Sequence, residues 1–254
     1  DALINPKQPD CPYPYKSLCG AAVAFKLIQC LYEAYGISAE EWDPLLENVA
    51  FATVGDVMDL TGENRILVKE GLKRLNHTRN EGFRALIAAN GLTEGPISAY
   101  HIGFVLGPCI NATGRLDTAK RALKLLMAST PEQAKILAEE LKSLNDERKD
   151  MTQQGVAEAM ELMESTSMKE DKVLVIYLPT CHESLAGIIA GRIREKYNRP
   201  VFVLTKAEEG VKGSGRSIEA YNMFQELCKV SGLFTKFGGH PMAAGLSLPE
   251  ENVE

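Results

Sequence analysis

The sequence has no closely spaced pair of cysteines. Its six cysteines are scattered over 254 residues, and no two of them stand in a C-x-x-C arrangement. Zinc sites and the disulfide frameworks of small secreted proteins both depend on clustered thiols. The pattern therefore argues against both kinds of site. It favours a reducing compartment, and we expect a cytoplasmic protein.

Long apolar runs are missing as well. The most apolar stretch, from Cys19 to Tyr32, is interrupted by Lys26 and Gln29. It is also shorter than the ~20 residues that a membrane-spanning helix requires. We therefore expect no association with a membrane.

Three common ligand-binding motifs are absent. There is no G-x-x-x-x-G-K-[ST] phosphate loop, no G-x-G-x-x-G after a strand and no H-E-x-x-H zinc motif. A formal charge of −6 argues mildly against a simple basic coat for nucleic acid. The charge is uneven, because residues 1–60 carry three Lys/Arg against nine Asp/Glu, whereas residues 182–240 carry nine against six. Such asymmetry suits a metal site beside a polyanion site, although ordinary solvated surfaces produce it equally often.

What is present is a helical first part followed by alternating strands and helices. The periodicity predicts helices at about 17–35, ended by Gly36, and from Asp43 as cap, with Pro44 in the first turn, to Leu60. Further helices are predicted at 63–76, at 80–90, ended by Gly91, and at 117–128, 184–197 and 221–230. Strands are predicted at 172–178, 201–205 and 243–248, with Gly-rich loops or turns between the later elements. The pattern therefore predicts an α/β fold.

A long unbroken segment separates the two parts. Thr130-Pro131-Glu132-Gln133 has the form of a capping box with proline at the first helical position, and only Gly155 interrupts the segment that follows up to Ser165. A helix of that length spans roughly 50 Å. We therefore expect two domains, 1–129 and 169–254, joined by a connecting helix at 130–168.

Asp56 is the first candidate site residue. It stands between apolar residues in a segment predicted to be a mostly buried helix, where an unpaired carboxylate costs several kcal/mol. It therefore needs a hydrogen-bonding partner, an arginine or a metal ion, and a structural role is about twice as common as a metal role. Asp59, three residues later, either shares that helical face or is solvated at the helix end.

Arg115 is the second candidate. Gly107, Pro108 and Gly114 indicate a loop around Asn111 and Arg115 that opens the next helix. A guanidinium presents a planar fork of donors that matches a phosphate. A salt bridge to Asp117 or Glu132 explains the arginine equally well.

Two Gly-rich stretches supply the remaining candidates. In Gly213-Ser214-Gly215-Arg216-Ser217 the glycines allow close approach of a ligand while Ser214 and Arg216 supply donors, although many surface turns have the same composition. In Gly238-Gly239-His240-Pro241, the small residues around His240 indicate tight backbone packing. The adjacent pair Cys181-His182 invites a cysteine-nucleophile interpretation, but neighbouring residues rarely orient both side chains for that chemistry.

Taken together, and in this order, the motifs resemble the RecJ-type single-strand-DNA exonucleases of the DHH phosphoesterase superfamily. Residues 4–7 and 15–21 resemble the part that follows the family's Asp-His-His motif, and the stretch around Asp56 resembles its fourth, metal-binding motif. Ile110 to Arg115 is similar to the family's I-N-A-x-G-R signature. Residues 182–192, 213–217 and 238–245 resemble the DHH-associated domain.

The sequence also departs from the family pattern. No adjacent His-His pair occurs, and the first three superfamily motifs are not found. The resemblance therefore implies the rear part of a DHH catalytic domain, a connecting helix and a smaller associated α/β domain. We expect a fragment that lacks most metal ligands and also lacks the family's nucleic-acid-binding β-barrel domain.

The resemblance implies 5′-to-3′ hydrolysis of single-stranded DNA in repair and recombination by two Mn²⁺ or Mg²⁺ ions. Asp56 would bind metal, and His240 would lie near the scissile phosphate in a cleft between the domains. Further residues would hold the terminal 5′ phosphate: Arg115, Ser214, Arg216, Gly238 and Gly239, together with His240. Two alternatives stay open: a sibling phosphodiesterase acting on short oligonucleotides or cyclic dinucleotides, and a non-catalytic nucleic-acid-binding module.

Overall fold

A computed structural model describes residues 3–253 of the chain. The chain divides into two compact units, Asp1–Asn145 and Asp146–Glu254. The α/β class predicted from the sequence is confirmed, with helices throughout and one five-stranded sheet among the described residues. No helix in the described part of the chain is both long enough and apolar enough to cross a membrane.

The first unit is helical over its described residues. Its helices are α1 (Gly20–Ala34), α2 (Ala39–Trp42), α3 (Leu46–Gly55), α4 (Gly62–Leu75), α5 (Glu81–Ala89), α6 (Ala99–His101), α7 (Gly107–Leu116) and α8 (Lys120–Leu126). A 3₁₀ turn, Asp43–Leu45, precedes α3, and a π-helical turn, Ile102–Leu106, joins α6 to α7. One apolar cluster lies around Phe83, Leu86 and Leu106, and another lies around Phe25 and Val49.

The predicted helix ends at Gly36 and Gly91 are confirmed. Each glycine has a φ of +68°, and the residue after it donates its N–H to the carbonyl five positions earlier, Ile37 to Tyr32 and Leu92 to Ile87. This is the Schellman arrangement, which requires a left-handed residue at the position that glycine occupies without steric cost.

The helix predicted from Asp43 to Leu60 is shorter than expected. Asp43 does not cap it; its carboxylate receives two hydrogen bonds from Arg74, at 2.8 and 2.7 Å. The helix also stops at Gly55, because Val57 adopts a left-handed backbone with φ +55°. Residues 56–60 are therefore not helical.

Helix α9 (Pro131–Ser165) is continuous through Gly155. The predicted cap forms: the Gln133 N–H donates to Thr130 Oγ1 at 3.3 Å, and Gln133 Oε1 accepts from the Ser129 N–H at 3.4 Å. The first part of α9 contributes Ala138 to the core of the first unit, and the last part contributes Met163 to the core of the second. The predicted boundaries after residues 129 and 168 stay predictions.

The second unit is built on a mixed sheet. Its strands are β1 (Leu174–Tyr177), β2 (Val201–Lys206), β3 (Val211–Arg216), β4 (Lys236–His240) and β5 (Ala243–Leu248), in the spatial order β1-β2-β3-β5-β4. Strand β1 pairs with β2 in parallel, and the other pairs are antiparallel. Helix α10 (Ala186–Tyr197) connects the parallel pair, and α11 (Met223–Lys229) precedes β4.

Both faces of the sheet are partly covered. On one face α10 and the last part of α9 bury Leu174, Ile176 and Val203. On the other face Met223 of α11 packs with Phe202 and Leu246. On the face that α10 covers, the residues of β4 and β5 remain largely exposed.

Candidate functional site

The candidate residues of the second unit lie on one face of the sheet. In the antiparallel register, Ser214 pairs with Gly245, which pairs with Gly238, while Arg216 pairs with Ala243, which pairs with His240. Because side chains alternate between faces, every second residue of these strands points to the same side. We call this side the polar face; it comprises Lys212, Ser214 and Arg216 of β3, Ala243, Gly245 and Ser247 of β5, and Lys236, Gly238 and His240 of β4.

The Gly-rich loop and the Gly-rich turn expected before residues 221 and 243 were wrong over residues 213–216 and 238–240, which belong to strands β3 and β4. The glycines of β3 serve packing on the opposite face. A side chain at Gly213 would lie 2.5 Å from Leu204, and one at Gly215 would lie 2.5 Å from Met223. Glycine is therefore required there by large neighbouring side chains and not by a turn.

Arg216 and Ser214 are held together on the polar face. Arg216 Nη1 donates to the Gly215 carbonyl at 2.7 Å and to Ser214 Oγ at 3.3 Å. Both side chains are half-buried because α10 crosses above them. A serine hydroxyl beside a guanidinium gives two adjacent donor groups, which is the arrangement that a phosphate oxygen accepts from.

Two glycines of α10 make room for Arg216. A Cβ at Gly187 would lie 2.7 Å from Arg216 Nη2 and 2.8 Å from Ser214 Oγ, and one at Gly191 would lie 4.0 Å from Arg216 Cγ. Sequence reasoning missed Gly187. Its spacing of four residues from Gly191 on a predicted helix was the available signal, because such residues share one helical face.

The polar face forms one wall of an open cleft of about 500 Å³. Its lining includes Ser184, Lys212, Ser214, Lys236, Gly238 and Ser247. Lys212 pairs with Glu183 at 2.8 Å, and the hydrogen bond that Lys212 donates to this carboxylate raises the pKa of Lys212. The lysines of this cleft and Arg216 give the polar face a positive character that suits an anionic ligand.

The glycines of β4 have two different roles. A Cβ at Gly239 would collide with the Ala243 carbonyl oxygen and lie 2.7 Å from Ala244 Cα, so packing against β5 excludes a side chain. Gly238 has nothing within 4 Å of its would-be Cβ and leaves bare backbone beside Gly245. His240 is exposed, and its Nδ1 accepts the Met242 N–H at 3.3 Å.

Cys181 and His182 do not form a nucleophile pair. His182 Nδ1 accepts the Ser184 N–H at 3.3 Å and so caps the start of the following helical turn. Burial, and secondarily the negative charge of Glu158, raises the pKa of the Cys181 thiol. A raised pKa keeps sulfur in the less reactive thiol form.

Asp56 lies in the first unit, and its predicted burial was wrong. It is exposed at the end of α3, followed by Val57, which is 88% exposed and has a positive φ. The buried carboxylate of this helix is Glu47, 6% exposed, and burial raises its pKa against the opposing effect of a hydrogen bond from Thr78. Asp56 therefore has no desolvation penalty that demands a partner.

Residues 3–253 contain no group of three or more His, Cys, Asp or Glu side chains placed to hold a metal ion. Asp59 does not share a helical face with Asp56, because α3 has already ended. Its carbonyl accepts from Asn64 Nδ2 at 3.0 Å, which fixes the segment to the start of α4. These described residues therefore do not by themselves fit a two-metal site.

The loop expected around Arg115 was also wrong. Residues 107–116 form α7, with Pro108 at its start, where the missing N–H is tolerated. Asn111 and Arg115 are exposed and lie four residues apart on one helical face. Asp117 ends the helix and pairs with Arg121 at 2.6 Å.

Comparison with known proteins agrees with the motifs. Residues 170–254 match the model of the DHHA1 domain. The chain is 38% identical to the single-stranded-DNA-specific exonuclease RecJ of Escherichia coli, over all of this chain and 47% of that protein. It is also 38% identical to RecJ of Bacillus subtilis, over 99% of this chain and 31% of that protein.

Solved structures match as well. The crystal structure of RecJ from Thermus thermophilus in complex with Mg²⁺ has a TM-score of 0.83 and 33% identity, over 96% of this chain and 37% of that one. The crystal structure of an exonuclease RecJ bound to manganese has a TM-score of 0.81 and 33% identity, over 95% of this chain and 60% of that one. The chain thus spans less than half the length of these curated relatives. The resemblance inferred from the motifs is confirmed, whereas the roles of individual site residues stay predictions.

Proposed function

We propose that this chain, which matches RecJ exonucleases along its whole length, forms the strand-end binding part of a 5′-to-3′ single-strand-DNA exonuclease. The observation that carries the proposal is the polar face, where Ser214 and Arg216 lie beside the bare backbone of Gly238 and Gly245. A guanidinium beside a hydroxyl donor, on a surface where no side chain hinders close approach, is an arrangement that binds a terminal phosphate.

In this proposal Ser214 and Arg216 hold the 5′ phosphate through charge-assisted hydrogen bonds, and Arg115 of the first unit is proposed as a further phosphate-binding residue. Gly238 allows the strand to approach the backbone, since no side chain projects there, and Gly239 is proposed to contribute to phosphate binding through its backbone. His240 lies near the scissile phosphate and donates a hydrogen bond to it. Phosphate contacts of this kind carry no sequence information, so the strand is bound with little sequence preference.

Mn²⁺ or Mg²⁺ is proposed as the cofactor of the whole protein, because relatives have been crystallised with these ions. Such an ion supplies a hydroxide nucleophile and stabilises negative charge when bound. Of the residues in this chain, only Asp56 is proposed as a ligand. The remaining ligands are proposed to come from sequence that the longer relatives have outside the matched region.

Equilibrium binding of the wild-type chain to four DNA ligands and one cyclic dinucleotide tests the proposal. The DNA ligands are a single strand and a blunt duplex, each with and without a 5′ phosphate, at one fixed salt concentration because phosphate contacts are salt-dependent. We expect the phosphorylated single strand to bind tightest, by roughly tenfold over its 5′-hydroxyl counterpart, which corresponds to about 1.4 kcal/mol.

Two other results would favour one of the alternative functions. Equal affinity for single strand and duplex, with no effect of the 5′ phosphate, is the result expected of a general nucleic-acid-binding module. Tighter binding of a cyclic dinucleotide than of any strand is the result expected of a sibling phosphodiesterase. Either result contradicts the proposal.

A further inference from the structure

Two large aromatic side chains are exposed next to each other in the first unit. Tyr100 is 64% exposed and Phe104 is 72% exposed. Their ring centroids are 5.1 Å apart with planes inclined by 31°. Single exposed apolar residues are common on protein surfaces, whereas adjacent exposed aromatic rings are enriched at sites that bind a partner. We call Tyr100 and Phe104 the aromatic pair.

The aromatic pair lies on the same continuous helical run as Arg115. Residues 99–116 form α6, the π-helical turn and α7 without a break. Exposed residues recur along this run at Tyr100, Phe104, Asn111 and Arg115, at spacings of four, seven and four residues. At ~1.5 Å per residue, Phe104 and Arg115 are separated by roughly 16 Å along the axis.

The aromatic pair also borders the end of α3. A Cβ at Gly103 would lie 3.7 Å from Val54 Cγ1, and Val54 precedes Asp56 by two residues. The intervening π-helical turn is a feature often found at functional sites. One exposed strip of the first unit therefore carries aromatic rings, hydrogen-bond donors and, beside it, a carboxylate.

We propose that Tyr100 and Phe104 stack against bases of single-stranded DNA a few nucleotides from a phosphate bound by Arg115. This proposal rests on the proposed function. A polynucleotide alternates flat apolar bases with phosphates, and the strip offers rings at one end and donor groups at the other. Stacking on aromatic rings is tolerant of sequence, because every base has a π-face, and needs an unpaired base.

Binding of a 5′-phosphorylated oligothymidine to the wild-type chain and its variants tests this proposal. Phe104→Ala and Tyr100→Ala should each weaken binding about tenfold, in the lower part of the range measured for loss of one stacked base. Phe104→Trp should bind at least as tightly as wild type. Tyr35→Ala is the matched control, because Tyr35 is 79% exposed at the end of α1 and should not affect affinity.

A scan with a single abasic site separates stacking from other contacts. Moving the abasic site along the strand should weaken wild-type binding at one or two positions near the 5′ end. At those positions Phe104→Ala should show no further loss, since the same contact is already absent. The far-ultraviolet circular dichroism of each variant confirms that the exposed substitution leaves the helices intact.

Three results overturn the proposal. If wild type prefers the phosphorylated single strand but Phe104→Ala binds as tightly, the aromatic pair has no role and the proposed function stands. If Phe104→Ala weakens binding but the abasic scan is flat, the ring contacts something other than a base. If wild type shows no preference for the phosphorylated single strand, the proposed function fails and this proposal fails with it.

Discussion

At the scale of single residues, Gly187 controls how Arg216 is held on the polar face. Alanine at this position would push aside the Arg216 guanidinium and the Ser214 hydroxyl, which lie 2.7 and 2.8 Å from the would-be Cβ. Both groups are at the ends of flexible side chains, so the fold should survive. We predict that Gly187→Ala reduces the preference for a 5′ phosphate several-fold while the melting temperature changes little.

Gly191→Ala is the control for this prediction. Its Cβ would meet only Arg216 Cγ, at an ordinary contact distance of 4.0 Å. Replacing glycine by alanine inside a helix stabilises it by up to about 1 kcal/mol. The variant should therefore melt at a slightly higher temperature and keep the phosphate preference. Equal loss of preference in both variants would show that α10 acts on binding in some other way than through Arg216.

Residue-level reasoning from sequence succeeded where a residue type has one dominant physical role. Gly36 and Gly91 end helices as predicted because only a left-handed residue fits there. The prediction that Asp56 is buried failed, because it was inferred from a helix that in fact ends at Gly55. The positive φ of Val57, which ends that helix, is a rare conformation for a β-branched residue and has no local sequence signal.

At the scale of elements, the contact between α3 and α4 depends on Gly71. A Cβ there would collide with the Leu46 carbonyl and lie 2.5 Å from Ala50 Cβ. Since both neighbours belong to another helix, the two helices must move apart. We predict that Gly71→Ala lowers the free energy of unfolding of the first unit by about 1–3 kcal/mol, despite the gain in helix propensity.

Urea denaturation followed by circular dichroism measures this effect. Gly20→Ala, at the start of α1, is the comparison variant, because nothing lies within 4 Å of its would-be Cβ. Its stability should be unchanged or slightly raised. A Gly71→Ala variant as stable as wild type would mean that α3 and α4 do not pack as closely as described.

The elements that sequence reasoning missed contain glycines with a packing role. In Gly213-Ser214-Gly215-Arg216 the alternation of glycine with polar residues is a period-two pattern, which indicates a strand. Glycine is uncommon in strands, so composition favoured a loop, and tertiary packing against Leu204 and Met223 decided otherwise. Likewise Gly107, Pro108 and Gly114 suggested a loop, but they lie within a helix that follows a π turn.

At the scale of the whole molecule, the chain offers few ligands for a metal ion. Tight binding of a divalent cation needs several ligands in fixed geometry with supporting contacts, and residues 3–253 contain no cluster of three candidate ligands. We predict that this chain as given binds Mn²⁺ only weakly and does not degrade single-stranded DNA. Calorimetry with Mn²⁺ and digestion of an end-labelled strand measure the two properties.

Joining the chain to the region that precedes the match in its relatives should restore metal-dependent digestion. Asp56→Ala in that longer protein should abolish most of the activity, because a ligand of the proposed metal site is lost. Micromolar Mn²⁺ affinity with robust digestion by residues 1–254 alone would place a complete active site within this chain. In that case the account of the missing ligands would be wrong.

The central claim is that the polar face recognises the phosphorylated end of a single strand. It is tested most directly by the ratio of the dissociation constants for 5′-hydroxyl and 5′-phosphate forms of one oligonucleotide, measured for wild type and Arg216→Ala. The account predicts that the variant loses about 1–3 kcal/mol toward the phosphorylated strand alone, the scale of a charge-assisted hydrogen bond. This loss removes the wild-type preference of about 1.4 kcal/mol, so that the ratio falls to one or below.

The matched control for this measurement is Lys229→Ala. It removes one positive charge from α11, which packs on the opposite face of the sheet, where Lys229 pairs with Glu226 at 2.7 Å. This variant should keep the wild-type ratio of dissociation constants. If Arg216→Ala weakens binding of both forms of the strand equally, or if Lys229→Ala lowers the ratio as much, Arg216 does not recognise the terminal phosphate and the central claim is contradicted.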